Sequence, residues 1–157
     1  EHGLPVFEYR AADAQFHGLE WEAEFAAIQE TGRSLRIRAM ADWVKANLLD
    51  DPESLPRVPP VRLGAEILYD QGSWSVFSRV LHAFQQLEIA QYELPTDAYW
   101  KLDLGMAYRV QWQSHELSFY VRADNLLDEE IRKPTSYLKD LAPSPGRNIR
   151  VGVGLAY

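Results

Sequence analysis

Apolar residues in this chain recur at every second position over runs of nine residues or more, and no other feature constrains the fold as strongly. Between Gln15 and Gln29, Leu19, Trp21, Ala23, Phe25 and Ala27 alternate with Gly18, Glu20, Glu22 and Glu24. A helix would need apolar residues at i, i+3 and i+4, whereas a period of two puts these side chains on one face of a strand. The last run, Ile149 to Tyr157, places Ile149, Val151, Val153, Leu155 and Tyr157 on one face, opposite small or polar residues.

The same period divides the chain into about eight candidate strands. A short one covers Leu4 to Arg10 and the long one Gln15 to Gln29. The turn Glu30-Thr31-Gly32-Arg33 leads to a third, in which Leu35, Ile37, Ala39 and Ala41 oppose Ser34, Arg36, Arg38 and Met40. Leu48 to Pro60 carries four prolines and three acidic residues, so it reads as a loop. Val61 to Asp70 forms the fourth strand, with a tight turn at Gln71-Gly72. The fifth, Ser73 to Ile89, alternates poorly, because Phe77 and Leu81 share a face with Ser75 and Arg79. Tyr99 to Arg109, Glu116 to Asp124 and the terminal run complete the set, with a long connection over 125–146. Short turns (30–33, 70–73, 110–115) therefore fall at one end, and long loops (48–60, 90–98, 125–146) at the other.

Composition narrows the function classes. The 157 residues suit one domain or one large piece of one. The hydrophobic share of 46% is ordinary, but a membrane-crossing strand offers only alternate positions to lipid. No apolar run approaches the ~20 residues of a membrane helix. No basic, apolar signal segment opens the chain, which reads as mature, trimmed or a fragment. Cysteine is absent, so disulfides and thiolate metal sites are excluded. A net charge of −7 argues against a partner recognised through nucleic-acid phosphates.

Alternation alone does not say which face points outward. The charged faces, with Glu20, Glu22, Glu24, Arg36, Arg38, Lys101 and Asp103, are too polar for a dry core. Aromatic residues form two candidate girdles: Tyr69, Trp74, Tyr108, Trp112 and Tyr157 at the turn end, and Trp43 and Trp100 at the loop end. The prediction is an all-β, antiparallel, up-and-down transmembrane β-barrel segment of about eight strands in the bacterial outer membrane, with lipid against the apolar face. Two competitors remain: a small eight-stranded outer-membrane barrel with a structural or binding role, and a soluble ligand-binding β-barrel with an apolar interior.

Five stretches, FHGLEWEAEF (16–25), LPRVPPVRLG (55–64), ELPTDAYWKLDLGMAYR (93–109), NLLDEEIR (125–132) and SYLKDLAPSPGRN (136–148), together with the aromatic terminal strand, resemble the C-terminal barrel portion of TonB-dependent outer-membrane receptors. The resemblance covers most of the chain and rests on the order and spacing of the stretches. It implies a section of a 22-stranded barrel whose parent imports a metal ion or metal complex. The final loop is similar to that of receptors for zinc or iron complexes, including the iron-siderophore type. The plug domain and TonB-contacting box of such receptors are absent from 1–157. TonB is therefore expected as a partner only through that missing region, outer-membrane lipid through the strands, and the barrel-assembly machinery through the terminal strand.

Candidate sites are few. Glu20, Glu22 and Glu24 beside Arg36 and Arg38 read as charge pairs across the first hairpin rather than as an ion-binding ladder. His2, His17, His82 and His115 are too dispersed to converge. His17 and His82 are the pair that an outer-rim ligand site would use, with the loop carboxylates Asp50, Asp51 and Glu53. Asp128, Glu129 and Glu130 read as a solvated loop cluster, and Ser136, Lys139 and Asp140 resemble catalytic residues only by type. Neither a phosphate-binding glycine loop nor a zinc-protease helix motif is present, so no enzyme and no cofactor are expected.

Overall fold

A computed structural model describes residues 11–49, 54–91 and 93–156. These form one seven-stranded antiparallel sheet in which every strand pairs with its sequence neighbours, in the order β1 to β7. The strands are β1 (Ala14–Glu30), β2 (Arg33–Leu48), β3 (Arg62–Gln71), β4 (Trp74–Ala83), β5 (Tyr99–Trp112), β6 (His115–Asp124) and β7 (Asn148–Ala156). The expected strand at Leu4–Arg10 lies outside the described residues. Among the described residues β1 pairs only with β2 and β7 only with β6, so the sheet is open and does not by itself close into a barrel.

The turn end is built from local signals. Registers close at Glu30↔Arg33, Gln71↔Trp74 and Trp112↔His115, so each hairpin turns through two residues. Positive φ at Gly72 (55°) and Gln113 (57°), the first turn residue in each case, suits the right-handed twist of the flanking strands.

Strand lengths depart from the pattern where partners dictate. The fifth predicted strand ends at Ala83 instead of Ile89, since its partner β3 begins at Arg62 and the preceding Pro59-Pro60 offers no N–H to continue the ladder. β2 instead runs on to Leu48, because β1 supplies partners as far as Ala14. A bulge between Ala26 and Ile28 changes the facing at the end of β1: Ile28, not Ala27, pairs with Leu35 on the apolar face.

Register settles the fifth strand too. Val76, Val80 and His82 lie on the apolar face, while Phe77 and Leu81 lie on the polar one. Phe77 is accommodated there because Gly105 stands directly opposite, and a Cβ at Gly105 would come within 2.1 Å of the Phe77 ring. Tyr120 covers Gly152 in the same way, and Met40 covers Gly64. Gly64, Gly105 and Gly152 of the polar face are seats for large side chains on neighbouring strands.

The small buried core of Ala83, Tyr99 and Ile131 joins the loop-end strand termini to the β6–β7 connection. That connection folds over the polar face. Among the described residues nothing covers the apolar face, and Phe25 (67% exposed) and Val151 (76%) stand free.

Candidate functional site

The centre of the polar face is an ion-pair network. The Arg38 guanidinium reaches Glu24 at 2.8 Å, Glu22 at 3.1 Å and Glu66 at 3.3 Å. Its Nε faces Glu22 without the alignment of a hydrogen bond. Glu66, nearly buried, also accepts from Arg79 at 2.7 Å. The pairing predicted across the first hairpin thus holds for Arg38 and extends over four strands. Arg36 differs, since Ala26 stands opposite it, and it turns to Asp70 at 3.8 Å. Each carboxylate of the network meets a cation, and for Glu66, which is buried, the pairing avoids an uncompensated charge.

The loop end is held by contacts remote in sequence. Glu93, in the β4–β5 connection, accepts hydrogen bonds from the backbone N–H groups of Ala90 and Arg57 and from Lys139 Nζ at 2.7 Å. Lys139, buried at 4% exposure, also donates to the Leu94 carbonyl at 2.6 Å. The Arg57 guanidinium lies 3.5 Å from the centre of the Tyr137 ring. All three long connections therefore meet at Glu93. Burial alone would raise the Glu93 carboxyl, but hydrogen bonds from Lys139, Ala90 and Arg57 prevail and hold it below the ordinary value.

Asn125 anchors the root of the β6–β7 connection. It is 1% exposed with φ at 50°, its N–H donates to Asp103, and its amide donates to the Glu129 and Pro145 carbonyls. Between this connection and the polar face lies a cleft of about 640 Å³. Arg62, Lys101, Lys133 and Arg150 line it, with Asp124 as the one lining carboxylate and the Tyr99 ring in its wall.

The structure does not bring the predicted histidines together. His82 stands on the apolar face, stacked on Trp100 at 4.3 Å, with Nδ1 against the Tyr99 carbonyl at 3.1 Å. His17 is opposite Lys45 on the same face, three strands and four rungs away, or roughly 20 Å at ordinary strand spacings. Asp50, Asp51 and Glu53 lie outside the described residues, among which no group of three or more His, Asp or Glu is placed to hold a metal ion. Asp128 pairs with Arg147, and Glu130 with Arg132. In the terminal strand Ile149, Val151, Val153 and Leu155 are exposed on the apolar face as predicted; Tyr157 lies outside the described residues.

Glu93, Tyr99, Asn125 and Lys139 were not singled out from the sequence as parts of one site. Their signal is weak, because each is a single polar residue in a loop or at a strand end and meets its partners only after folding.

No protein-family model matches the chain. Among solved structures it superposes on a chain described as the copper transporter OprC with a TM-score of 0.73 and 24% sequence identity. The match covers 90% of this chain and 24% of that one, so the chain spans about a quarter of the neighbour's length. At this identity the likeness is one of fold: the open meander described above has the architecture of a section of that transporter.

Proposed function

We propose that the chain is a section of the β-barrel wall of a bacterial outer-membrane transporter that takes up a metal ion or metal complex. The observation that carries the reading is the uncovered apolar face. It runs across all seven strands, while the polar face carries the ion pairs and the loop cover. A soluble monomer rarely exposes a contiguous apolar patch beyond a few hundred Å². A soluble ligand-carrying barrel would put its charged face outside and cover the apolar one, so the loop cover over the charged face favours the membrane reading.

The aromatic positions give the same orientation a scale. Trp74 and Tyr108 are in ring contact at 4.5 Å near the turns, and Trp100 stacks with His82 near the loops. Trp100 and Tyr108 are eight residues apart on β5, or ~27 Å along a strand. At a tilt of ~40° this is about 20 Å of height, close to the apolar band of an outer-membrane barrel.

The neighbour's name favours copper, the sequence resemblance zinc or iron complexes, and the shared class is a metal. Energy coupling through TonB would reach the chain by way of regions outside it, and β7 is the strand we assign to the barrel-assembly machinery. No catalytic role is proposed.

The test is folding of the purified chain with liposomes against detergent-free buffer, read as heat-modifiable migration on unboiled gels. The band shift is expected only with lipid. Ile67→Arg, in the middle of the apolar face, should then weaken folding by about 2–4 kcal/mol. A stable monomer in plain buffer, indifferent to that substitution, would overturn the membrane reading.

A further inference from the structure

The cleft under the β6–β7 connection has a charge opposite to that of the chain. The whole sequence carries −7, yet four cations and one carboxylate line the cleft. Part of that charge is answered locally: Arg62 pairs with Asp42 and Lys101 with Asp103, while Asp124 is shared between Arg150 and Arg122. Lys133 pairs with no carboxylate among the described residues. Counting these partners, cations remain in excess at a site where the acidic chain had carboxylates to spare.

Tyr99 adds an independent observation. The residue is largely buried in the wall of the cleft, and its hydroxyl makes no hydrogen bond among the described residues. The one buried side-chain polar atom without a partner among the described residues is Arg38 Nε, so the Tyr99 hydroxyl oxygen is open to the cleft and free to meet a ligand. A donor held in the wall of a cation-lined cleft is suited to an anionic oxygen. The remaining wall mixes Leu81, Ile131 and prolines from two connections with the neutral polar residues Asn125, Thr135, Ser144 and Asn148, and the volume is that of a small organic molecule, not a bare ion.

We propose that this cleft binds a small organic anion through carboxylate or phosphate oxygens, held by Lys133, Arg150 and the Tyr99 hydroxyl, and that it disfavours free metal cations. The inference does not rest on which face of the sheet meets lipid. If the cargo of the proposed transporter passes here, it does so as an anionic complex.

The experiment is isothermal titration of the full chain, in whichever of detergent or buffer keeps it folded, with citrate, inorganic phosphate and copper(II) chloride as separate probes. Citrate or phosphate should bind, and the arm that binds more tightly identifies the oxygen chemistry. Lys133→Glu should weaken that binding at least tenfold, and Tyr99→Phe about tenfold, the usual effect of losing a hydrogen bond to a charged group. Arg33→Glu, with the same change of charge at the turn end, should leave it unchanged. The heat-modifiable band, recorded for each variant, reports folding and the membrane reading separately from binding. Absence of binding by both anions to the folded chain would overturn the proposal. So would equal losses in Lys133→Glu and Arg33→Glu, or copper binding that Tyr99→Phe abolishes.

Discussion

The two ends of this sheet are held by different kinds of contact. At the turn end, three two-residue hairpins fix register between residues adjacent in sequence, and along the strands Gly64, Gly105 and Gly152 on the polar face seat large side chains from neighbouring strands. At the loop end, Glu93 and Lys139 are 46 residues apart, and Glu93 and Arg57 are 36 apart. Damage at the turn end should therefore spread along a hairpin, whereas damage at the loop end should release whole connections and leave the strands paired.

The largest expected effect comes from Lys139→Ala. Removing one member of a buried ion pair leaves the other charge uncompensated, at a cost of about 3 kcal/mol. Hydrogen exchange should show the amides of 54–61, 93–98 and 125–147 losing protection together while β3 to β6 keep theirs. Uniform loss across the sheet would mean that the two ends are one cooperative unit.

Gly105→Val tests the contacts between paired strands, midway along β5. The new side chain would meet the Phe77 ring, with an overpacking cost of about 2 kcal/mol read by denaturant unfolding. Combining it with Phe77→Ala should recover part of the loss through a measurable coupling energy. Strict additivity would show that the contact across the Gly105 rung is not what limits substitution there.

A smaller effect follows from acid, which removes a charge but leaves the side chain in place. The Glu93 carboxyl titrates lower in the folded protein than its ordinary 4.5. Its contribution is therefore fully present above about pH 4.5 and is lost as the pH falls through the lower native value. Loop-end protection should decline in that acidic window in the natural chain. In Glu93→Gln that component should be flat, and an unchanged pH profile would remove Glu93 from the role.

Arg57→Ala should have the smallest effect, about 0.5–1 kcal/mol for the loss of the guanidinium from the Tyr137 ring. Its backbone N–H still reaches Glu93, so protease nicking should increase around Tyr137 and not around Ala90. Equal nicking at both would show that the guanidinium, not the backbone, ties the loops together.

Much of the turn end was legible in the sequence, because hairpin signals and period-two alternation act within a few residues. The pairing of Arg38 with Glu22 and Glu24 was legible in the alternation, which puts all three on the charged face of one hairpin. Arg36 did not follow, since an alanine, Ala26, stands opposite it on β1 and its acidic partner Asp70 lies on β3, across the other edge of β2. Phe77 was the sign of something hidden: a large apolar residue on a charged face marked the seat that Gly105 provides across the rung.

What the sequence by itself determined is the seven strands of the described residues, their antiparallel order, and the division into one apolar and one charged face. These depend on side-chain spacing and short turns, which are local. Only the tertiary structure decided that the β6–β7 connection covers the charged face, that Lys139 is buried against Glu93, and that cations gather around Tyr99 in an acidic chain. Those contacts join residues tens of positions apart, and sequence spacing carries no information about which distant loops will meet.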